Sequence, residues 1–254
     1  AVRGCVGSGC GWGLLVGAGA WGVGVREVGV FALPDRPWGT MGVAIGLGGF
    51  LMAGMAFGRF ELLTVALAAA ILGSTLWTMT TARDTRGLGD QSARLLTAVI
   101  YVGGCVGFLP LLRSLDGGLG WLFLALGLGW CGDIGGYFAG RAFGRHKLSP
   151  MVWPKKTWEG FVGGLLLAVV WVALFKAIAF PRLALGDCFA LGLIGCTAGV
   201  LGDLVESGFK RTYGVKDSGA FLPGHGGFLD RVDSVMFALV VTYLYAVVIF
   251  PATR

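Results

Sequence analysis

Residues 207–234 read "SGFKRTYGVKDSGAFLPGHGGFLDRVDS". This stretch packs Lys210, Arg211, Lys216, Asp217, His225, Asp230, Arg231 and Asp233 into one short run, and holds one of the chain's 2 histidines. On its two sides lie "LGLIGCTAGVLG" (191–202) and "VMFALVVTYLYAVVIF" (235–250), neither with a charged residue. Those flanks decide the fold. They are solidly apolar and lack the apolar–polar alternation of a membrane β-barrel. Further runs of the same kind reach the length of about 20 residues that crosses a bilayer as an α-helix.

The rest of the chain agrees. Of 254 residues, 56% are hydrophobic and only 13% charged, and the mean hydropathy is +0.78. Soluble domains carry roughly 25% charged residues. The expectation is an all-α, polytopic integral membrane protein with spans near 8–33, 38–57, 61–81, 95–112, 118–140, 159–180, 184–206 and 233–251. Arg26 and Glu27 interrupt the first of these. No internal repeat and no dividing linker is evident. Residues 1–254 are therefore read as a single transmembrane domain, with N-terminal helices up to residue 90 and catalytic helices and loops over 91–254. The 47 glycines suit a membrane, where small residues let helices approach closely.

Six cysteines are scattered without a CxxC pair or a histidine at metal-ligand spacing, and read as small buried hydrophobes. A net charge of +6 fits loops facing anionic lipid; with no dense basic stripe, nucleic acid is not an expected partner. Loop charge sorts by side. Alternate loops hold the runs around Arg83–Arg94, Arg141–Lys156 and Lys210–Arg231, against scattered charges such as Arg59, Arg113 and Arg182 on the other side. The richer side is expected to be cytoplasmic, placing the charged stretch there in a bacterial-type inner membrane. The opening "AVRGCVGSGCGWG" lacks the layout of a signal peptide.

Ionisable groups at membrane depth are costly, about 3 kcal/mol each on insertion scales, and point to function. Three clusters qualify. In "WCGDIGGYFAGRAFG", Asp133, Tyr137 and Arg141 fall at i, i+4 and i+8 on one helical face. In "PKKTWEGFVGG", Thr157 is placed as an N-cap with Glu159 in the first turn. Lys155 and Lys156 precede that helix N-terminus and make a phosphate seat. In "GDLVESGFKR", Asp203, Glu206, Ser207 and Lys210 share one face. "LPGHGG" then forces a turn where Gly226 and Gly227 let the backbone approach a ligand. Asp230 and Asp233 open the last span.

Carboxylates at two helix ends suit Mg²⁺, which binds one or two carboxylates plus substrate phosphates. Lys210, Arg211, Lys216 and Arg231 beside them suit phosphoryl chemistry. His225 is read as a phosphate ligand. There is no GxSxG elbow, zinc helix or Walker loop.

These residues resemble the signature of the phosphatidate cytidylyltransferases. Ser207, Lys210, Arg211, Lys216, Asp217, Gly219, Leu222, Pro223, His225, Gly226, Gly227, Asp230, Arg231 and Asp233 follow its pattern without departure. "GDLVES", "PKKTWEG" and "DIGGYFAGRAFG" resemble upstream family segments in the family's order. The resemblance is good over about residues 90–250; against it the N-terminal third is short by a helix. It implies a membrane enzyme that joins CTP and phosphatidate into CDP-diacylglycerol and pyrophosphate. It further implies Asp203 and Asp230 as metal ligands, and Asp133 and Lys156 lining the nucleotide pocket. Mg²⁺, a second cation such as K⁺, and a homodimer are also implied. Two other readings fit the residues: a CTP-using enzyme acting on another lipid, and an ion-coupled transporter using Asp133, Asp203 and Asp230.

Overall fold

The computed structural model describes residues 8–32, 37–82, 85–150, 152–219 and 226–250. In chain order the helices are α1 (Ser8–Ala32), α2 (Pro37–Ala56), α3 (Phe60–Thr81), α4 (Leu88–Ala98), α5 (Phe108–Arg113), α6 (Gly118–Phe143), α7 (Trp158–Ile178), α8 (Leu185–Thr212) and α9 (Leu229–Leu244). A π-helical turn, Val99–Gly104, continues α4, and another, Tyr245–Ile249, continues α9. Strands β1 (Lys147–Ser149) and β2 (Trp153–Thr157) form an antiparallel hairpin between α6 and α7.

Seven segments among the described residues are long and apolar enough to cross a membrane: 38–56, 60–81, 88–113, 118–143, 158–178, 185–212 and 229–249. The residues they bury explain why. Toward its neighbours α7 turns Gly160, Gly164, Ala168 and Val172. Away from them it turns Leu166, Val170, Leu174 and Ile178. On α3 the buried positions are Ala66, Ala70, Ser74 and Thr78, while Leu72, Leu76 and Met79 are exposed. Small residues inside and large apolar ones outside is the arrangement of helices packed in lipid, where close backbone approach rather than burial of bulk drives association. The chain is a multi-pass integral membrane protein.

The chain folds as two compact units. The first comprises residues 1–116 and 217–229. Its core gathers Trp21, Val25, Leu95, Val99 and Val102, and the Trp21 indole donates to the Ile45 carbonyl at 3.1 Å. A Cβ at Gly103 would come within 3.2 Å of the Gly48 backbone, so the π-helical turn sits where two helices touch. The span expected over 95–112 starts earlier, at Leu88, in an amphipathic segment whose polar residues mask its start in a hydropathy reading.

The second unit comprises 117–216 and 230–254. Leu124, Leu128, Leu191, Val172 and Met236 are buried in it. Two spans run past their expected bounds: α8 continues to Thr212, and α9 begins at Leu229. Both extensions carry charge, because the helices extend through the charged stretch instead of stopping at it.

Candidate active site

The site is assembled inside the second unit by a close helix crossing. A Cβ at Gly135 on α6 would stand 2.7 Å from the Gly163 carbonyl, and one at Gly160 on α7 would stand 2.7 Å from the Gly136 carbonyl. Only glycine allows this approach. It brings Asp133, in the C-terminal half of α6, level with the start of α7 and the hairpin before it.

The hairpin pairs Lys147 with Thr157 and Ser149 with Trp153. Its exit is fixed as expected at Thr157, whose hydroxyl caps α7 by accepting the Gly160 N–H at 3.1 Å. Glu159 in the first turn clips the α6–β1 turn, accepting from the Arg145 N–H at 3.1 Å and pairing with His146 Nδ1 at 2.7 Å. The stretch "GRAFGRHKLSPMVWPKKTWEG" was expected as a loop; its strands are too short to show a pattern of period 2.

Hairpin and helices converge on one cavity of about 390 Å³. It is lined by Asp133, Asp203, Asp230 and Asp233, by Lys155, Lys156 and Arg231, and by Tyr137, Trp153 and Thr157 among others. Lys156 is ion-paired with Asp203, and its ammonium stands 3.8 Å from Asp133 Oδ1 and 5.0 Å over the Trp153 ring. The second Asp133 oxygen accepts the Ser234 hydroxyl at 3.0 Å. Lys210 Nζ lies 2.6 Å from Asp230 Oδ1 and 3.4 Å from Glu206 Oε1.

The face foreseen on α8 is real: Asp203, Glu206, Ser207 and Lys210 are all buried, with the Ser207 hydroxyl 3.5 Å from Asp203 Oδ1. Asp233 is buried one turn into α9 and accepts the Ser234 N–H at 2.6 Å. Burying charges is tolerable only when they are paired and hydrogen-bonded; here Lys210 on α8 and Asp230 on α9 are each other's partner, and the hairpin's Lys156 is the partner of Asp203.

Among the described residues of this unit, Arg141, Arg211 and Lys216 do not line the cavity. Arg141 donates to the Tyr137 hydroxyl at 3.0 Å; the charged partner of Asp133 is Lys156, not Arg141. Arg211 is exposed and donates to the Val215 carbonyl at 3.4 Å. Lys216 is exposed at the end of the second unit's α8 segment. Asp217, Gly226 and Gly227 belong to the first unit. His225 lies outside the described residues. Two residues of the site were not foreseen: Ser234 and Trp153. Ser234 acts through a contact 101 residues away with no local signal, and Trp153 through a hairpin whose strands are too short to read from period.

Among the described residues no three His, Cys, Asp or Glu side chains are grouped so as to hold a metal by themselves. The donors on the cavity are nonetheless hard carboxylate oxygens, and Mg²⁺ usually completes its shell with water and substrate phosphates. Asp203 and Asp230, one from each of two helices, fit that requirement. Ammonium groups of Lys156 and Lys210 sit on those carboxylates here, so cations are already what this pair of oxygens attracts.

A model described as the cytidylyltransferase family matches residues 8–249. The chain is 45% identical over 149 residues to the phosphatidate cytidylyltransferase of Staphylococcus saprophyticus, covering 59% of this chain and 56% of that one. It is 43% identical over 157 residues to the phosphatidate cytidylyltransferase of Bacillus subtilis, covering 61% and 58%. It is 45% identical over 153 residues to the enzyme of that name from Staphylococcus aureus, covering 59% and 56%. The matches thus span just over half the length of these curated relatives.

Proposed function

The chain belongs to the cytidylyltransferase family, and we propose that it transfers CMP from CTP to phosphatidate, giving CDP-diacylglycerol and pyrophosphate. The observation that carries the reading is a cavity on which Asp133, Asp203, Asp230 and Asp233 meet Lys155, Lys156 and Arg231 among membrane-spanning helices. One substrate comes from water and the other from lipid, and a charged cavity within membrane helices is open to that combination.

The reaction asks little covalent chemistry of the protein. A phosphate oxygen of phosphatidate forms a bond to the α-phosphorus of CTP, and the bond from that phosphorus to the β-phosphate bridging oxygen breaks. Pyrophosphate leaves with the electron pair. Phosphatidate is ionised near neutral pH, so no general base is needed. Lys155, Lys156 and Arg231 hold phosphates and offset the charge that develops on their oxygens. Lys156, with its partners on α6 and α8, marks the nucleotide side. Mg²⁺, held by Asp203 and Asp230, supplies Lewis-acid stabilisation of phosphate oxygens when bound. A second cation such as K⁺ and a homodimer belong to the proposal through the family resemblance alone. The cavity faces the cytoplasm by the bias of loop charge.

The test is the purified protein in detergent with CTP, phosphatidate and Mg²⁺, scored for CDP-diacylglycerol and pyrophosphate. Equal release is expected. A folded protein that forms neither product would sink the proposal, and product from ether-linked acceptors only would move it to another lipid.

A further inference from the structure

Glu27 is a charged residue on α1 for which the proposed reaction has no use. It is buried, and its carboxylate gathers three donors from far along the chain. Oε1 accepts the Phe228 N–H at 2.8 Å. Oε2 accepts the Leu229 N–H at 2.8 Å and the Ser218 hydroxyl at 3.0 Å. A carboxylate that only accepts is matched to three donors and no acceptor.

Two glycines make room for it. A Cβ at Gly219 would stand 2.9 Å from Glu27 Oε1, and one at Gly227 would stand 2.7 Å from Oε2 and overlap the Ser218 hydroxyl. Gly226, beside them, has φ 84°, in the left-handed region that glycine alone enters freely. The segment that begins at Ser218 and ends at Leu229 is therefore bound at both ends to one side chain. Leu229 opens α9, where backbone N–H groups have no partner within the helix and a negative group is favoured. The next residue in the chain is Asp230.

We propose that Glu27 is a positioning residue: it ties Ser218 and the backbone at Phe228 and Leu229 to α1 and so fixes the start of α9. Its consequence for turnover rests on the function proposed above; the tie itself does not.

The experiment compares the protein with its Glu27→Gln and Ser218→Ala variants in detergent. Amide hydrogen exchange is resolved at Phe228 and Leu229, and kcat and the KM for CTP are measured for CDP-diacylglycerol formation. Glutamine turns an NH₂ group toward at least one of the three donors. Exchange at one of the two amides, Phe228 or Leu229, should rise about tenfold or more, the equivalent of one lost hydrogen bond. The kcat should fall by at least about tenfold, the KM for CTP should change far less, and the melting temperature should hold. Ser218→Ala removes one donor and leaves both amides bonded, so its exchange should rise less.

Unchanged exchange in Glu27→Gln would overturn the tie. Faster exchange at unchanged kcat would overturn the positioning role and leave a plain anchor. Should Glu27→Gln fail to fold, Glu27→Asp, which keeps the charge on a shorter reach, is read by the same two measurements. A wild type without CDP-diacylglycerol synthesis would fail the proposed function, while its exchange data would still decide the tie.

Discussion

Lys210 on α8 reaches Asp230 in the first turn of α9 at 2.6 Å, and the same ammonium stands 3.4 Å from Glu206. Lys210 is thus the rivet between the two helices that carry the carboxylates. Its removal should leave buried negative charge uncompensated, at about 3–5 kcal/mol. Lys210→Met is expected to lower the melting temperature sharply. The double variant Lys210→Met, Asp230→Leu should regain much of that stability and none of the activity. Equal instability of single and double variants in a thermal scan would show that the pair is not the rivet.

Asp203 and Asp230 make a separate prediction about chemistry. Asp203→Asn and Asp230→Asn keep shape and lose charge, so the helices should persist by circular dichroism. Turnover should fall by about 10²-fold or more, the scale of losing an electrostatic contact to the reacting phosphates. Wild-type-like turnover in either variant at saturating Mg²⁺ would remove that residue from the proposed metal site.

Lys156 lies between Asp203 and Asp133 and over Trp153. Lys156→Met should raise the KM for CTP more than it lowers kcat, because the ammonium is proposed to hold phosphate rather than to transfer a proton. Isothermal titration with CTP and Mg²⁺ checks this directly: unchanged affinity would assign Lys156 to structure alone.

The α6–α7 crossing predicts a graded response. A Cβ at Gly164 would stand 2.8 Å from the Gly132 carbonyl, whereas one at Gly186 meets nothing within 4 Å. Gly164→Val should destabilise by about 1–3 kcal/mol through forced separation of the helices, and should cost activity because Asp133 rides on the same contact. Gly186→Ala should be neutral in both assays.

Thr157 gives a local test of the hairpin. Thr157→Ser keeps the cap on α7 and should behave as wild type, while Thr157→Ala should lose about 1 kcal/mol. Gly140 and Gly144 pack close to this side chain, so a larger loss in Thr157→Ala would report on that packing rather than on the cap.

Much of this was legible along the chain. Apolar runs of bilayer length announce membrane helices with no knowledge of their neighbours, since the bilayer is the same solvent for each. The Asp203, Glu206, Ser207 and Lys210 face followed from helical spacing alone, and Asp230 in the first turn of α9 followed from the end of the glycine-rich turn. Those features depend on contacts within one or two helical turns, where geometry is set by the backbone itself.

The choice of partners was not legible. Asp133 shares a helical face with Arg141, yet it pairs with Lys156 from the hairpin and with Ser234, 101 residues away. Glu27 looked like an interruption in a glycine-rich span and proves to bind donors 191–202 residues distant. The sequence by itself determined that there would be membrane helices and which faces would carry charge, because periodicity and hydropathy are local. Only the tertiary structure decided which charges meet, because that depends on how closely glycine lets particular backbones approach, to within a few tenths of an ångström.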